Sequence, residues 1–305
     1  MTRNILFVLT LALAATPLFA ASAVSSLSPG KAAIQSAGPL AFGPDAVLFV
    51  GDSNAAAIFA LDTGDRTPGS GTVEVADVDV KIAAMLGVGA EQILINDMVI
   101  NPISKKAYLS VSRGKGPDAI PVIVRIDSAG KIAELDLANI PHAEAALPNP
   151  VAADAKDRRG RPLRSQSITD IGYLDGKVFV AGLSNEEFAS NLRAIEFPFK
   201  TASEGTSVEI YHGNHAQWET RSPVRTFIPY EIQAEPHLLA AYTCTPLVKF
   251  PVKDLKPKTK VVGTTIAELG NRNRPIDMIR YSKGGQDYIL MANSSRGVMK
   301  MATKG

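Results

Sequence analysis

Short apolar runs recur in pairs along this chain, each pair joined by a polar or Gly/Pro-bearing loop. Leu48-Phe49-Val50 is followed by Ile58-Phe59-Ala60-Leu61, and Ala107-Tyr108-Leu109 by Val122-Ile123-Val124. Val178-Phe179-Val180-Ala181 is followed by Leu192-Arg193-Ala194-Ile195, and Leu238-Leu239-Ala240-Ala241 by Leu247-Val248-Lys249-Phe250. The last pair is Tyr288-Ile289-Leu290-Met291 and Val298-Met299-Lys300-Met301. Two strand-length runs flanking turn residues read as a hairpin. The pattern therefore predicts five hairpins.

A further strand candidate precedes each hairpin, at residues 40–42, 98–100, 168–173, 225–232 and 276–281. Four hairpins have one after them, at 72–75, 131–135, 207–211 and 260–262. Four antiparallel strands per repeating unit is the composition of a propeller blade. The expected fold class is all-β: a β-propeller of about five or six four-stranded blades, with strands A to D in each. A β-sandwich fits the long, similar units less well.

Two runs break the strand pattern. Ile82-Ala83-Ala84-Met85-Leu86-Gly87 and Ile266-Ala267-Glu268-Leu269-Gly270 both read as one or two helical turns stopped by glycine, so short helical insertions are expected between some blades. The fifth unit has no strand D, and residues 31–36 are expected to supply it from the other end of the chain.

On these hairpins, the chain resembles the broad β-propeller superfamily, including the NHL, YVTN and gluconolactonase-like (SMP-30) proteins. The resemblance covers most of the chain at the level of pattern. It carries no family-specific signature, and no catalytic residue follows from it.

The N-terminus reads differently. Arg3, an apolar run over residues 5–15, Pro17 and Ala21-Ser22-Ala23 form a Sec-type signal peptide pattern. The expectation is a signal peptide at 1–23 and a single propeller domain at 24–305, periplasmic or extracellular. No later stretch has transmembrane length. Lys+Arg number 32 against 30 for Asp+Glu, a balance that argues against nucleic acid as a partner. The basic run Lys156 to Arg164 lacks interleaved aromatics and reads as a solvated, mobile loop. The single cysteine, Cys244, has no Cys or His signature around it and reads as a small buried apolar residue.

Chemistry is expected where strand A of each blade begins, at the mouth of the central channel. Asn96-Asp97, Thr169-Asp170, Pro229-Tyr230-Glu231 and Pro275-Ile276-Asp277 bring acids to four such positions, and Ala41 breaks the series in the first unit. Carboxylates crowded around one opening repel each other unless a cation or basic side chain sits among them. Asp97, Asp170, Glu231 and Asp277 are therefore candidate ligands for a divalent cation such as Ca²⁺. The alternative is that each bonds backbone N–H groups and ties neighbouring blades together. His212 and His215, with Glu219 four residues further on, are further metal candidates expected on the same face. Arg272, Arg274 and Arg296 could hold a carboxylate or phosphate, or neutralise the acids.

No complete nucleophile elbow, P-loop or haem-attachment motif is present. The first expectation is an exported propeller that binds a small-molecule ligand or protein partner at its channel mouth. A lactonase-type, metal-dependent hydrolase using the acids is the alternative. A subunit supporting a periplasmic redox enzyme is a third, resting on fold analogy alone.

Overall fold

A computed structural model describes residues 22–200, 202, 204–212, 216–243, 246–270 and 273–303. Nearly the whole signal-peptide reading, together with Cys244, His215 and Arg272, lies outside these residues.

The chain is a five-bladed propeller, and all five sequence-predicted hairpins form as the second and third strands of its blades. Blade one contains β1 (Leu40–Phe42), β2 (Val47–Asp52) and β3 (Ala57–Asp62). Blade two contains β4 (Ile93–Ile100), β5 (Ala107–Arg113), β6 (Ile120–Ile126) and β7 (Ile132–Glu134). The chain then returns to blade one, where β8 (His142–Ala146) pairs with β3 as its outermost strand.

Blade three follows with β9 (Asp170–Leu174), β10 (Lys177–Leu183), β11 (Ser190–Glu196) and β12 (Thr206–His212), and β13 (Gln217–Glu219) extends its outer edge. Blade four has β14 (Val224–Ile232), β15 (Glu235–Tyr242) and β16 (Pro246–Pro251). The chain next places β17 (Lys260–Val262) parallel to β12 of blade three, then completes blade four with β18 (Thr264–Glu268). Blade five is β19 (Pro275–Lys283), β20 (Gln286–Asn293) and β21 (Gly297–Ala302).

Three expectations are corrected here. Residues 72–75 are not strand D of blade one; Val73 and Val75 instead pack on the flank of blade two beside α1 (Val78–Met85). This helix covers the first predicted helical run, and Gly87 just beyond it takes φ +72°, a conformation glycine adopts without penalty. The second predicted helical run is strand β18. Its β-branched start, Thr264-Thr265-Ile266, suits a pleated edge, and the register places Ala267 opposite Leu247. Gly263 makes the step between β17 and β18 feasible, because a Cβ there would lie 2.3 Å from the Val248 side chain.

The third correction concerns residues 31–36, which do not complete blade five. The buried Asp52 carboxylate accepts the Gln35 N–H at 2.5 Å and the Ser36 N–H at 3.1 Å, holding this segment on blade one. Ser28 bridges His142 at the edge of β8.

The return of β8 gives the blades the spatial order two, one, three, four, five. Blade one packs Leu48, Val50, Phe59 and Leu61 against Tyr108 and Ile123 of blade two. Its other face packs Val47, Phe49, Ile58 and Ala60 against Val178, Val180 and Ile195 of blade three. A continuous core then joins blades three, four and five through Phe179, Phe227, Leu239 and Met291. The far face of blade two is covered by Ile82, Ala83 and Leu86 from α1 and the turn after it. Among the described residues no apolar cluster spans blades five and two. Met98 (57% exposed), Ile279 (55%) and Val298 (70%) stay open to solvent there. No helix among the described residues is long and apolar enough to cross a membrane.

The candidate ligand site at the channel mouth

The innermost strands of blades two, four and five share a local irregularity at their first residues. The register slips between Ile95 and Asp97, between Val224 and Thr226, and between Pro275 and Asp277. Such bulges bend a strand and re-aim its side chains. The residue after each slip faces a small partner on the second strand: Asp97 opposite Ser110, Thr226 opposite Ala241, Asp277 opposite Ala292. In blade three Asp170 faces Ala181. In blade one the position belongs to Pro39, whose carbonyl accepts the Gly51 N–H.

Asp97, Asp170 and Asp277 therefore line one cavity of about 470 Å³, together with Asn96, Ser36, Asn54, Ser112 and Thr226. Asp97 Oδ2 accepts the Leu40 N–H of blade one at 2.7 Å, and Asp170 Oδ2 accepts the Phe227 N–H of blade four at 2.6 Å. Both bonds cross between blades. In each aspartate, Oδ1 accepts the N–H of the next residue at 2.7 Å. Asp277 also accepts the Thr226 hydroxyl at 3.3 Å. The Asn96 amide donates to Ala37 O at 2.8 Å and to Ser112 Oγ at 2.9 Å.

Burial pushes the Asp97 carboxyl up to about 7; the Leu40 N–H opposes the rise, and the Asp277 charge adds to it. Burial raises Asp170 well above the carboxylate range against the pull of the Phe227 N–H, and the charges of Asp97 and Asp277 raise it further. The Asp277 carboxyl also rises from desolvation, while the Met278 N–H, the Thr226 hydroxyl and the Arg225 charge oppose that rise. With its carboxyl raised to about 7, Asp97 can offer a donor as well as acceptors near neutral pH.

Glu231 does not belong to this group. It lies at the far end of β14, opposite Pro236 and exposed, because a nine-residue strand carries positions 224 and 231 to opposite rims. Thr226 takes the mouth position instead. With Glu231 gone, the metal reading loses a ligand, and among the described residues no three His, Cys, Asp or Glu side chains are arranged to hold an ion. His212 ends β12 in the outer hairpin of blade three, where Trp218 packs edge-on to Tyr211 at 5.4 Å.

A second cleft of about 370 Å³ adjoins the first and shares Thr169, Arg225 and Ile276 with it. Arg161, Arg225 and Arg274 line it beside Gln166, Thr243 and Ser294. Arg161 arrives through the basic segment that reads from sequence as a mobile loop. The structure shows a tight turn: Asp157 accepts the N–H groups of Arg159 and Arg161 and pairs with the Arg161 guanidinium at 2.6 Å. Arg164 fastens the turn to Val151 O at 2.6 Å and Asn54 O at 3.0 Å. Arg296 lies instead over Gly270, on the loop between β20 and β21.

No protein-family model matches the sequence, and a search of curated proteins finds no match. Several solved structures align along most of the chain at low identity. A streptogramin B lyase aligns at 11% identity over 92% of this chain and 87% of its own, with a TM-score of 0.28. A GH43 β-1,3-galactosidase with galactodeoxynojirimycin aligns at 9% identity over 88% and 94%, with a TM-score of 0.33. The PQQ-bound aldose sugar dehydrogenase from Streptomyces coelicolor aligns at 11% over 90% and 96%, with a TM-score of 0.28. These values carry no chemistry across, and the propeller assignment rests on the five sheets of this chain.

Proposed function

We propose that this protein is an exported propeller that binds a small polar organic ligand in the channel-mouth cavity. The observation that carries the reading is the convergence of Asp97, Asp170 and Asp277, from three separate blades, on one cavity of about 470 Å³. That volume falls in the range of small-molecule sites. The acids are held by backbone N–H groups, so they are fixed before a ligand arrives, and preorganised groups cost less to engage. Hydroxyl or amino groups suit them, since partly protonated carboxyls can donate as well as accept. Binding takes precedence over acid–base turnover because both Asp97 oxygens already accept a backbone N–H.

A panel of neutral polyols, amines and small organic anions, screened for a rise in melting temperature, tests this reading. A stabilising compound should lose most of its effect in Asp97→Asn. If no class of compound stabilises the protein, the reading fails. Export is tested by N-terminal sequencing of protein from the extracytoplasmic fraction, where an intact Met1 would contradict it.

A further inference from the structure

Arg225 and Arg274 bring two guanidinium groups to one concave surface, and neither has an ion-pair partner among the described residues. Arg225 is the bulged residue at the start of β14, so the same irregularity that turns Thr226 toward the acids turns Arg225 into the cleft. Arg274 is fixed at its backbone by exchange with Ser294: its N–H donates to Ser294 Oγ at 3.1 Å, and its carbonyl accepts the Ser294 N–H at 2.9 Å. Arg161 completes the wall, with its charge partly balanced by Asp157. The Arg225 charge reaches Asp277, yet no ion pair forms between them. Neither the Arg225 nor the Arg274 guanidinium is closed off by a direct ion pair among the described residues, so both remain available to a bound anion.

We propose that this cleft is the anion-recognising half of the channel-mouth site, and that it takes a carboxylate or phosphate group of the ligand. The inference rests on the ligand-binding reading above and narrows it to organic anions. Arg225 and Arg274 grip the oxyanion in the planar, two-pronged manner open to guanidinium. The polar remainder of the ligand crosses Thr169 and Ile276, which line both cavities, and reaches the acids. The acids then set a second requirement. Groups that meet them are neutral or cationic, so a ligand with one anionic end and a hydroxyl- or amine-bearing body satisfies both halves.

The probes are inorganic phosphate and acetate, titrated at constant ionic strength against sodium chloride, with melting temperature and calorimetry as readouts. The expected result is a saturable stabilisation by at least one oxyanion that chloride does not reproduce, and the stronger of the two names the group. Arg225→Gln and Arg274→Gln should each weaken it at least tenfold while melting normally without the anion. Arg158→Gln, an exposed change in the same basic segment, should leave it unchanged. No oxyanion effect beyond chloride, or an effect that survives both glutamine variants, overturns the proposal. A neutral polyol that binds through Asp97 while both oxyanions fail would sink the cleft and spare the cavity reading. Oxyanion binding that needs the arginines, with no compound sensitive to Asp97, would do the reverse.

Discussion

The junction between blades three and four and the junction between blades five and two are built from the same strand positions yet differ at every level. At the first, the Asp170 carboxylate crosses to the Phe227 N–H, Thr169 donates to Val224 O at 2.6 Å, and Phe179, Phe227 and Leu239 share one core. At the second, Asp277 makes its bonds to Met278 and to Thr226 of blade four, and no hydrogen bond to blade two is formed among the described residues. The apolar residues that could meet there, Met98 and Ile279, face water. Blade two has spent its far face on α1 instead. A ring of similar blades thus need not have equivalent junctions: among the described residues its apolar packing and crossed hydrogen bonds favour one side, and its acids lie at the mouth that both sides share.

Breaking the two junctions should give unequal losses. Phe179→Ala, in the core between blades three and four, should cost about 3–5 kcal/mol in urea or guanidinium unfolding. Ile279→Ala, on the open face of blade five, should stay within about 0.5 kcal/mol. Equal losses would mean that the second junction is packed after all.

The carboxylates sharpen the contrast on a smaller scale. Asp170→Ala strips the Phe227 N–H of its acceptor and should destabilise by about 1–3 kcal/mol, less whatever relief of repulsion the change brings. Asp277→Ala removes no bond to blade two and should cost less in the same measurement. If Asp277→Ala costs more, the crossed bond of Asp170 is not what distinguishes the two sides.

The pH dependence follows from the raised carboxyls. Asp97 titrates near its ordinary 3.8 when unfolded and at about 7 when folded. Between those values the folded state binds more protons, so this group's contribution to stability is full below 3.8, falls as pH rises to about 7, and is flat beyond. Melting temperature should therefore drop between pH 5 and pH 8, and Asp97→Asn should flatten that drop. Asp65 works in the opposite sense. Burial raises its carboxyl, but the hydrogen bonds of Lys106, Ser104 and Tyr108 outweigh that and hold it below the usual range. Its stabilisation is lost in acid as pH falls through its folded value. The smallest expected effect is that of Glu231→Gln, exposed on the far rim, which should leave stability and ligand response alike unchanged.

Much of this was legible from the residues alone. The five hairpins are local features, and alternating apolar runs with turn residues between them report local pairing directly. What the pattern could not report is which strand closes which blade. Strand β8 is separated from its partner β3 by the whole of blade two, and β18 from β16 by the excursion of β17 to blade three. Both are short and edge-like, so long-range pairing rather than their own composition decides them. The run Ile266 to Gly270 shows the same limit, since five residues cannot distinguish a helical turn from an edge strand.

At the mouth, three of four acids were legible because an acid opening an inner strand is a positional signal. Glu231 misled because Pro229-Tyr230-Glu231 mimics that signal five residues too late. A readable mark did exist: the small residue facing each mouth position, Ser110, Ala181, Ala241 and Ala292, pairs Ala241 with Thr226 and not with Glu231. The role of Arg161 was hidden because Asp157 organises its loop through bonds that composition does not reveal.

The most direct test is a crystal structure of the protein soaked with the compound that raises its melting temperature most. The account expects that compound in the channel mouth, with polar atoms within hydrogen-bond distance of at least two of Asp97, Asp170 and Asp277 and an oxyanion against Arg225 and Arg274. Density on the far rim beside Glu231, or on the open face of blade five with the mouth empty, would contradict it.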